Sequence, residues 1–518
     1  MSLFRAIATV GGLTMVSRVL GFARDLMIAR YLGAGVAADA FFVALRLPNF
    51  FRSLFAEGAF TAGFLPLYSE LLAKGGRYAA RRFAESALAF LLPVLLLFSV
   101  LAQILMPLLM LGLAPGFYDE PERFVLAVEY TRITFPYLLF ISLAALYGAV
   151  LNGLGRFAAF AATPILLNLT MLVALPLLAG GAAPLLPAGE ALAWGTLAAG
   201  LAQFLWLVYW LWREGIVLRL VPPALPPMVR RLFQLILPAA IGAGAMQINL
   251  VVNVILASLL PAGAVSYLFY ADRLNQLTVG IVGVAIATAL LPSLSRLLAL
   301  GRIEAAAAQQ NRAIEFSLLL ALPAMAALVV VPYPLISVLF ERGAFDAAAS
   351  RASADALLAY AIGLPAYILA RAFTPGFHAR QDTRTPLRIA FVTIAANLAL
   401  SIALMPVLGH VGLALATALA AWGNAAQLGW RLHRRGHWQP DARLKQRGLR
   451  ILVAALLMAA ALWGLQHLVS GWYGEGEARR IAALAVLVLG GMAVYGLAAL
   501  LLGATKPSEW RTLLRRDG

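Results

Sequence analysis

Apolar runs long enough to cross a lipid bilayer recur along this chain from one end to the other. No water-soluble fold buries so many of them. A spanning helix needs about 20 residues. Runs of that kind, separated by charged or Gly/Pro-rich breaks, fall at 6–32, 37–66, 86–112, 125–151, 160–179, 191–212, 232–259, 264–295, 313–338, 352–373, 386–405, 411–430, 450–469 and 481–503. Lipid offers the backbone no hydrogen-bond partner, so each run must satisfy its own amides as a helix. With 62% hydrophobic and 12% charged residues, the chain lies far outside the composition of soluble domains. The start, MSLFRAIATV, has no small-residue cleavage signal ahead of Arg18 and reads as the opening of a retained first helix.

The net charge of +17 does not point to nucleic acid, because the basic residues are spread over short loops rather than gathered in one patch. They alternate from loop to loop. One set of loops carries Lys74, Arg77, Arg81 and Arg82, then Arg156, then Arg213 to Arg231, Arg296 to Arg312, Arg371 to Arg388 and Arg431 to Arg450. The other set holds only Arg123, Arg342, Arg351, Arg479 and Arg480. Positive charge marks cytoplasmic loops. Both termini are therefore expected in the cytoplasm, as an even number of spans requires.

The chain also repeats itself at an offset of about 226 residues. TAGFLPLYSELLAKGGR at 61–77 matches ATALLPSLSRLLALGR at 287–302, aligning Pro66 with Pro292. FFVALRLPN at 41–49 matches LFYADRLNQ at 268–276, which sets Arg46 against Arg273. Six spans separate the copies, so both have the same orientation. Parallel repeats of this type build transporters with a central site between the halves. The expected fold is an all-α polytopic membrane protein of fourteen helices. It divides into a first lobe at 1–225, a second at 226–445, and a C-terminal helix pair with its tail at 446–518.

Some charges fall inside the spans: Arg18, Arg24, Arg30, Arg46, Arg52, Arg132 and Arg273. Facing lipid, they would together cost on the order of 20 kcal/mol. Most must face protein or water. Asp39, Arg46, Asn49, Ser53 and Glu57 recur at helical steps and form one polar stripe. Thr14, Arg18 and Asp25 share a face of the first run, and a bend at Gly21 would turn Arg24 toward it. Arg273, Gln276 and Gly280 align in the same way on the eighth run. Arg30 reads equally as an interfacial side chain that snorkels, and Arg132 as a helix anchor. Asp25 and Asp39 are expected to pair with Arg18 or Arg24. Every basic residue in the spans is Arg, whose planar fork fits phosphate as Lys does not. An electropositive centre and an anionic, phosphorylated substrate follow.

Other chemistry finds little support. With no cysteine, disulfides and thiolate chemistry are excluded. There is no Walker loop, GxSxG elbow or HExxH motif, and the five histidines are scattered. His433 and His437 have i, i+4 spacing but lie in a basic loop with no carboxylate pair nearby. The chain is not expected to be an enzyme, nor to carry a cofactor or metal.

SRVLGFARD at 17–25, GAGVAADAFFVALRLPNFFRSLFAEGAF from Gly33, FYADRLNQLTVGIVGVAIATALLPSLS from Phe269 and FHARQDTRTP at 377–386 closely resemble the MviN/MurJ family. These are bacterial lipid II flippases of the multidrug/oligosaccharidyl-lipid/polysaccharide exporter superfamily. The resemblance covers nearly the whole chain. It implies two lobes of six helices, and a final pair forming a groove for a prenyl tail. It also implies that a lipid-linked peptidoglycan precursor, lipid II, passes from the cytoplasmic to the periplasmic leaflet of the inner membrane by alternating access. The family's important charges match Arg18, Arg24, Asp25, Asp39, Arg52 and Arg273. On this likeness Arg24 and Arg273 clamp the pyrophosphate, Asp25 competes for them in the empty site, and Arg18, Asp39 and Arg52 shape the cavity or its gates. Many relatives carry a second Arg after Arg52, where this chain has Ser53. Sodium or the membrane potential remains open as the coupling source, with Asn249 and Asn253 the residues that would belong to an ion site. A monomer is expected. The rival transport readings are an O-antigen flippase or a cation-coupled drug exporter, and the Arg-rich centre argues against cationic drugs. A membrane enzyme acting on prenyl-linked sugars would need a larger external loop than any present.

Overall fold

The structure, a computed structural model, describes residues 3–53, 60–181, 183–222, 226–474 and 476–505. Among these residues every regular element is helical and none is a strand. Two compact units emerge. The first comprises residues 1–266 with 342–345, the second residues 267–341 with 346–518.

The first unit holds α1 (Leu3–Leu32), α2 (Val36–Ala44), α3 (Arg46–Arg52), α4 (Phe60–Ile104), α5 (Met106–Leu113), α6 (Pro121–Thr134), α7 (Tyr137–Gly153), α8 (Phe157–Ala161), α9 (Thr163–Ala179), α10 (Ala188–Arg213) and α11 (Pro227–Ser258). Here α9 and α7 pack on α10, α1 on α9, α2 on α6, and α4 on α7 and α11. Helix α12 (Ala264–Ala299) begins at the end of this unit and continues into the second. The second unit then has α13 (Ile303–Val330), α14 (Pro332–Phe340), α15 (Ala347–Ile362), α16 (Leu364–His378), α17 (Arg384–Arg434), α18 (Ala442–Val469) and α19 (Glu477–Leu501). In it α13 packs on α18, α16 and α15, α17 on α15 and α16, and α19 on α18. The repeat groups α11 with the later helices, whereas packing groups it with α4.

Proline and glycine set many of the breaks. Pro136 separates α6 from α7, and prolines stand in the first turns of α5, α6, α9, α11, α14 and α16, where a missing N–H costs nothing. Gly76 (φ 71°) breaks α4 and Gly409 (φ 56°) breaks α17, each joining two helical stretches. Only glycine reaches such φ values without strain. The side chains of Asp346 and Asp441 cap α15 and α18 by accepting from Ala349 N and Leu444 N, both at 2.7 Å.

Nine stretches among the described residues are individually long and apolar enough to span a bilayer. One of them, Arg384–Arg434, contains two of the expected runs. Large apolar side chains stand exposed along several helices, including Leu97 and Leu108, Ile402 and Val407, and Leu489 and Met492. On a soluble protein such surfaces would associate. Here they face lipid, and the chain is a multi-pass membrane protein.

Candidate functional site

Helix α1 carries the first cluster. It is one continuous helix from Leu3 to Leu32, with no break at Gly21. Arg24 needs no such break, because its long side chain folds back onto its neighbour. Its Nε and Nη2 donate to Asp25 Oδ1 at 3.1 and 2.7 Å. A third donor, Nη1, reaches Asn168 Oδ1 on α9 at 3.1 Å. The Asn168 amide in turn donates from Nδ2 to Ser17 O at 2.9 Å. A Cβ at Gly21 would lie 3.5 Å from that nitrogen, an ordinary van der Waals contact. Asp25 and Asn168 are buried and Arg24 is largely so. Arg18, about 9 Å earlier along the helix axis, is exposed.

Asp39 behaves differently from expectation. It is fully buried, and its partner is Arg123, whose Nη2 donates to Oδ2 at 2.6 Å, rather than Arg18 or Arg24. Gly263 N and Ser266 N also donate to this carboxylate, each at 2.7 Å, and Ser266 Oγ donates as well. Arg123 enters on the first turn of α6, which packs on α2. It is itself fully buried, its guanidinium lying 3.9 Å from the Phe117 ring centroid, and Nη1 donates to Leu260 O at 3.0 Å. A residue read as a loop charge is thus the counter-ion of an intramembrane carboxylate. The stripe through Asp39, Arg46 and Asn49 is correspondingly split. Asp39 is committed to protein, Arg46 is half-buried at the start of α3, and Asn49 is exposed. Arg52 Nε donates to Asn49 Oδ1 at 3.3 Å, and Ser53 Oγ turns back to Phe50 O. Glu57 lies outside the described residues.

A turn of the chain steadies the start of this region. Ala344 N donates to Arg30 O at 2.8 Å, and Gly33 (φ 67°) approaches so closely that a Cβ there would sit 2.4 Å from Ala344 O. The Arg30 side chain is exposed, in keeping with an interfacial role.

In the second unit, Arg273 is half-buried on α12 with its guanidinium 4.6 Å from the Phe269 ring centroid. Asp272 beside it is also half-buried, a carboxylate that counting guanidiniums overlooks. A cavity of about 710 Å³ opens between α13, α18 and α19, lined by Leu319, Pro323, Met458, Leu462, Leu487 and Met492. Of the two hydroxyl side chains in its lining, Tyr495 and Thr505, that of Tyr495 donates to Leu319 O at 2.6 Å. Such a cavity suits a hydrocarbon chain. Asn249 and Asn253 are half-buried on α11. Among the described residues no three His, Asp or Glu side chains gather as a metal site.

Sequence reasoning missed Asn168, Arg123, Gly263 and Ser266. A lone Asn in the apolar run TPILLNLTM was the available signal for the first.

The sequence profile described as "Lipid II flippase MurJ" matches residues 28–483. The chain belongs to the MurJ lipid II flippase family. A probable MurJ from Rhizobium tropici is 43% identical, over 100% of this chain and 97% of that protein. MurJ of Burkholderia cenocepacia is 36% identical over 90% of each. Among solved structures, MurJ in an inward closed conformation aligns with a TM-score of 0.76 at 24% identity, over 98% of this chain and 99% of that one. An inward-facing MATE multidrug transporter aligns at 0.63 and 17% identity, over 83% of this chain and 98% of that one. These two likenesses show the fold.

Proposed function

We propose that this chain flips lipid II from the cytoplasmic to the periplasmic leaflet of the inner membrane, exposing its arginines to each face in turn. Lipid II joins an undecaprenyl chain to a disaccharide-pentapeptide through a pyrophosphate. The observation that carries the reading is Arg24, held on an intramembrane helix by Asp25 and Asn168. A guanidinium in a membrane is a functional-site signal by default, and this one is oriented for a phosphate. Arg273 is the second anion ligand. Arg18 and Arg52 attract the headgroup, and Arg46 supports them. Asp39, locked to Arg123 and the 263–266 turn, is a gate latch. The apolar cavity of α13, α18 and α19 takes part of the prenyl tail. The chain works as a monomer with both termini in the cytoplasm and needs no cofactor, sodium or the membrane potential supplying the drive.

Reconstitution with labelled lipid II tests this by following its accessibility in the two leaflets. Unsubstituted protein should speed transfer over empty vesicles, and Arg24→Ala or Arg273→Ala should abolish it without loss of folding. Full activity in both variants overturns the anion-ligand roles. Export of an organic cation with no effect on lipid II overturns the function.

A further inference from the structure

We infer that Asn168 is a positioning residue for Arg24, a role that rests on the flippase reading and specifies how its anion site is built. A guanidinium has five N–H donors in one plane. Asp25 Oδ1 takes Nε–H and one hydrogen of Nη2, and Asn168 Oδ1 takes one hydrogen of Nη1. One N–H on each terminal nitrogen is left. Two such donors match two oxygens of a phosphate group. A guanidinium tethered through a single carboxylate oxygen can still swing about that contact. The second tether, from another helix, fixes its plane.

Asn168 is itself held firmly. It is 4% exposed, its Nδ2 bonds Ser17 O, and its amide packs over Gly21. Ser17, Gly21, Arg24 and Asp25 thus form one seat on α1 into which α9 inserts an acceptor. The neutrality of that acceptor matters. Arg24 and Asp25 already cancel in charge, and a second carboxylate would make the seat negative and repel an anion. An amide oxygen orients Arg24 without adding charge. In this arrangement Asp25 stays bound to Arg24 while the anion occupies the remaining donors, so the two need not compete.

The Nδ2 bond to Ser17 O also gives Asn168 a packing role, and the test separates the two. Binding of undecaprenyl pyrophosphate to the purified full chain in detergent is measured for Asn168→Ala, Arg24→Lys and the double variant, with the unfolding temperature of each. Asn168→Ala should weaken binding about tenfold, as expected for loss of a hydrogen bond to a charged group. In the Arg24→Lys background the same substitution should change binding by less than about twofold, since lysine has no fork to orient. Equal losses in both backgrounds, or no loss in either, overturn the positioning role. Asn168→Asp keeps the acceptor, loses the Ser17 bond and adds a charge. It should fold and bind more weakly than the unsubstituted chain, and unchanged binding overturns the argument from neutrality. If the unsubstituted chain does not bind the pyrophosphate lipid, the functional reading falls first, and the positioning role with it.

Discussion

At the scale of single residues, the two acidic side chains of the early helices show how differently similar groups are used. Asp25 holds a partly accessible arginine, whereas Asp39 and Arg123 have no access to solvent at all. Breaking a buried pair by removing one partner is costly, because an uncompensated charge remains. Arg123→Ala should therefore destabilise the chain by about 3–5 kcal/mol. Asp39→Ala should also destabilise it, since it leaves Arg123 with only the longer carboxylate contact to Glu120 at 3.5 Å and takes the acceptor from Gly263 and Ser266. Replacing both with apolar residues of similar volume should recover much of the loss. Thermal unfolding in detergent, run as a double-mutant cycle, measures the coupling. Additive losses would show that the two side chains do not act as a pair. Only half of this site was readable from the residues alone. Arg24 and Asp25 are adjacent, so their contact could be foreseen, but Asn168 lies 144 positions from Arg24 and Arg123 lies 84 from Asp39. Nothing in local spacing encodes such long-range pairings.

At the scale of elements, Gly21 discriminates between a bent and a straight α1. In an uninterrupted helix alanine is favoured over glycine by about 1 kcal/mol. The new methyl would meet Asn168 at ordinary van der Waals distance. Gly21→Ala should therefore leave lipid II transfer within about twofold of the original while raising helix stability by up to about 1 kcal/mol. Abolished transfer with intact folding would indicate that transport needs α1 to open at that point. A second element-level device joins α13 to α18. Glu315, buried on α13, accepts from Arg447 at 2.5 Å and Arg443 at 3.2 Å on α18, and Arg312 bridges Glu315 to the capping residue Asp441. Glu315→Ala removes the buried carboxylate that ties Arg447 and Arg443 to α13, at a cost of roughly 3 kcal/mol. Trypsin should then cut sooner at Arg435, exposed between α17 and α18, and at Arg443, exposed in the first turn of α18. Unchanged cleavage would mean that apolar packing alone holds the C-terminal pair in place.

At the scale of the whole molecule, the sequence disclosed the helices far better than their partners. Length and apolarity locate a membrane helix, and proline or glycine often marks its end, so α1, α10, α18 and α19 fall close to the expected runs. Helices joined through a kinked glycine, as in α17, could not be told from separate ones. Loop charges read only as an orientation signal also proved to be built into networks, and one of these gives the molecule a readable pH response. Between α16 and α17, Asp382 accepts from Thr385 N at 2.9 Å and pairs with Arg435 at 2.6 Å. Burial alone would raise its pKa, but the bonds to Thr385 and Arg435 outweigh burial and hold the carboxyl well below the usual range. His437 is shifted down too, first by burial and then by the Arg380 and Arg435 charges, with Asp382 opposing them. The two shifts act in separate windows. The stabilising contribution of Asp382 is complete above its unfolded pKa of about 4 and is lost only as pH falls toward its depressed folded value. From pH 7 to 5 it adds no slope. His437 acts within that interval, because below about pH 6.5 the unfolded chain binds its proton more readily than the folded one does. Stability contributed through His437 therefore falls as pH drops from 7 to 5. His437→Asn should flatten that part of the profile relative to the unsubstituted chain, and Asp382→Asn should remove stability at pH 7 without changing the slope above pH 5 by a direct titration. Unfolding temperatures measured from pH 7 to 5 for the three proteins decide it. A slope that survives in His437→Asn would place the titrating group elsewhere in the chain.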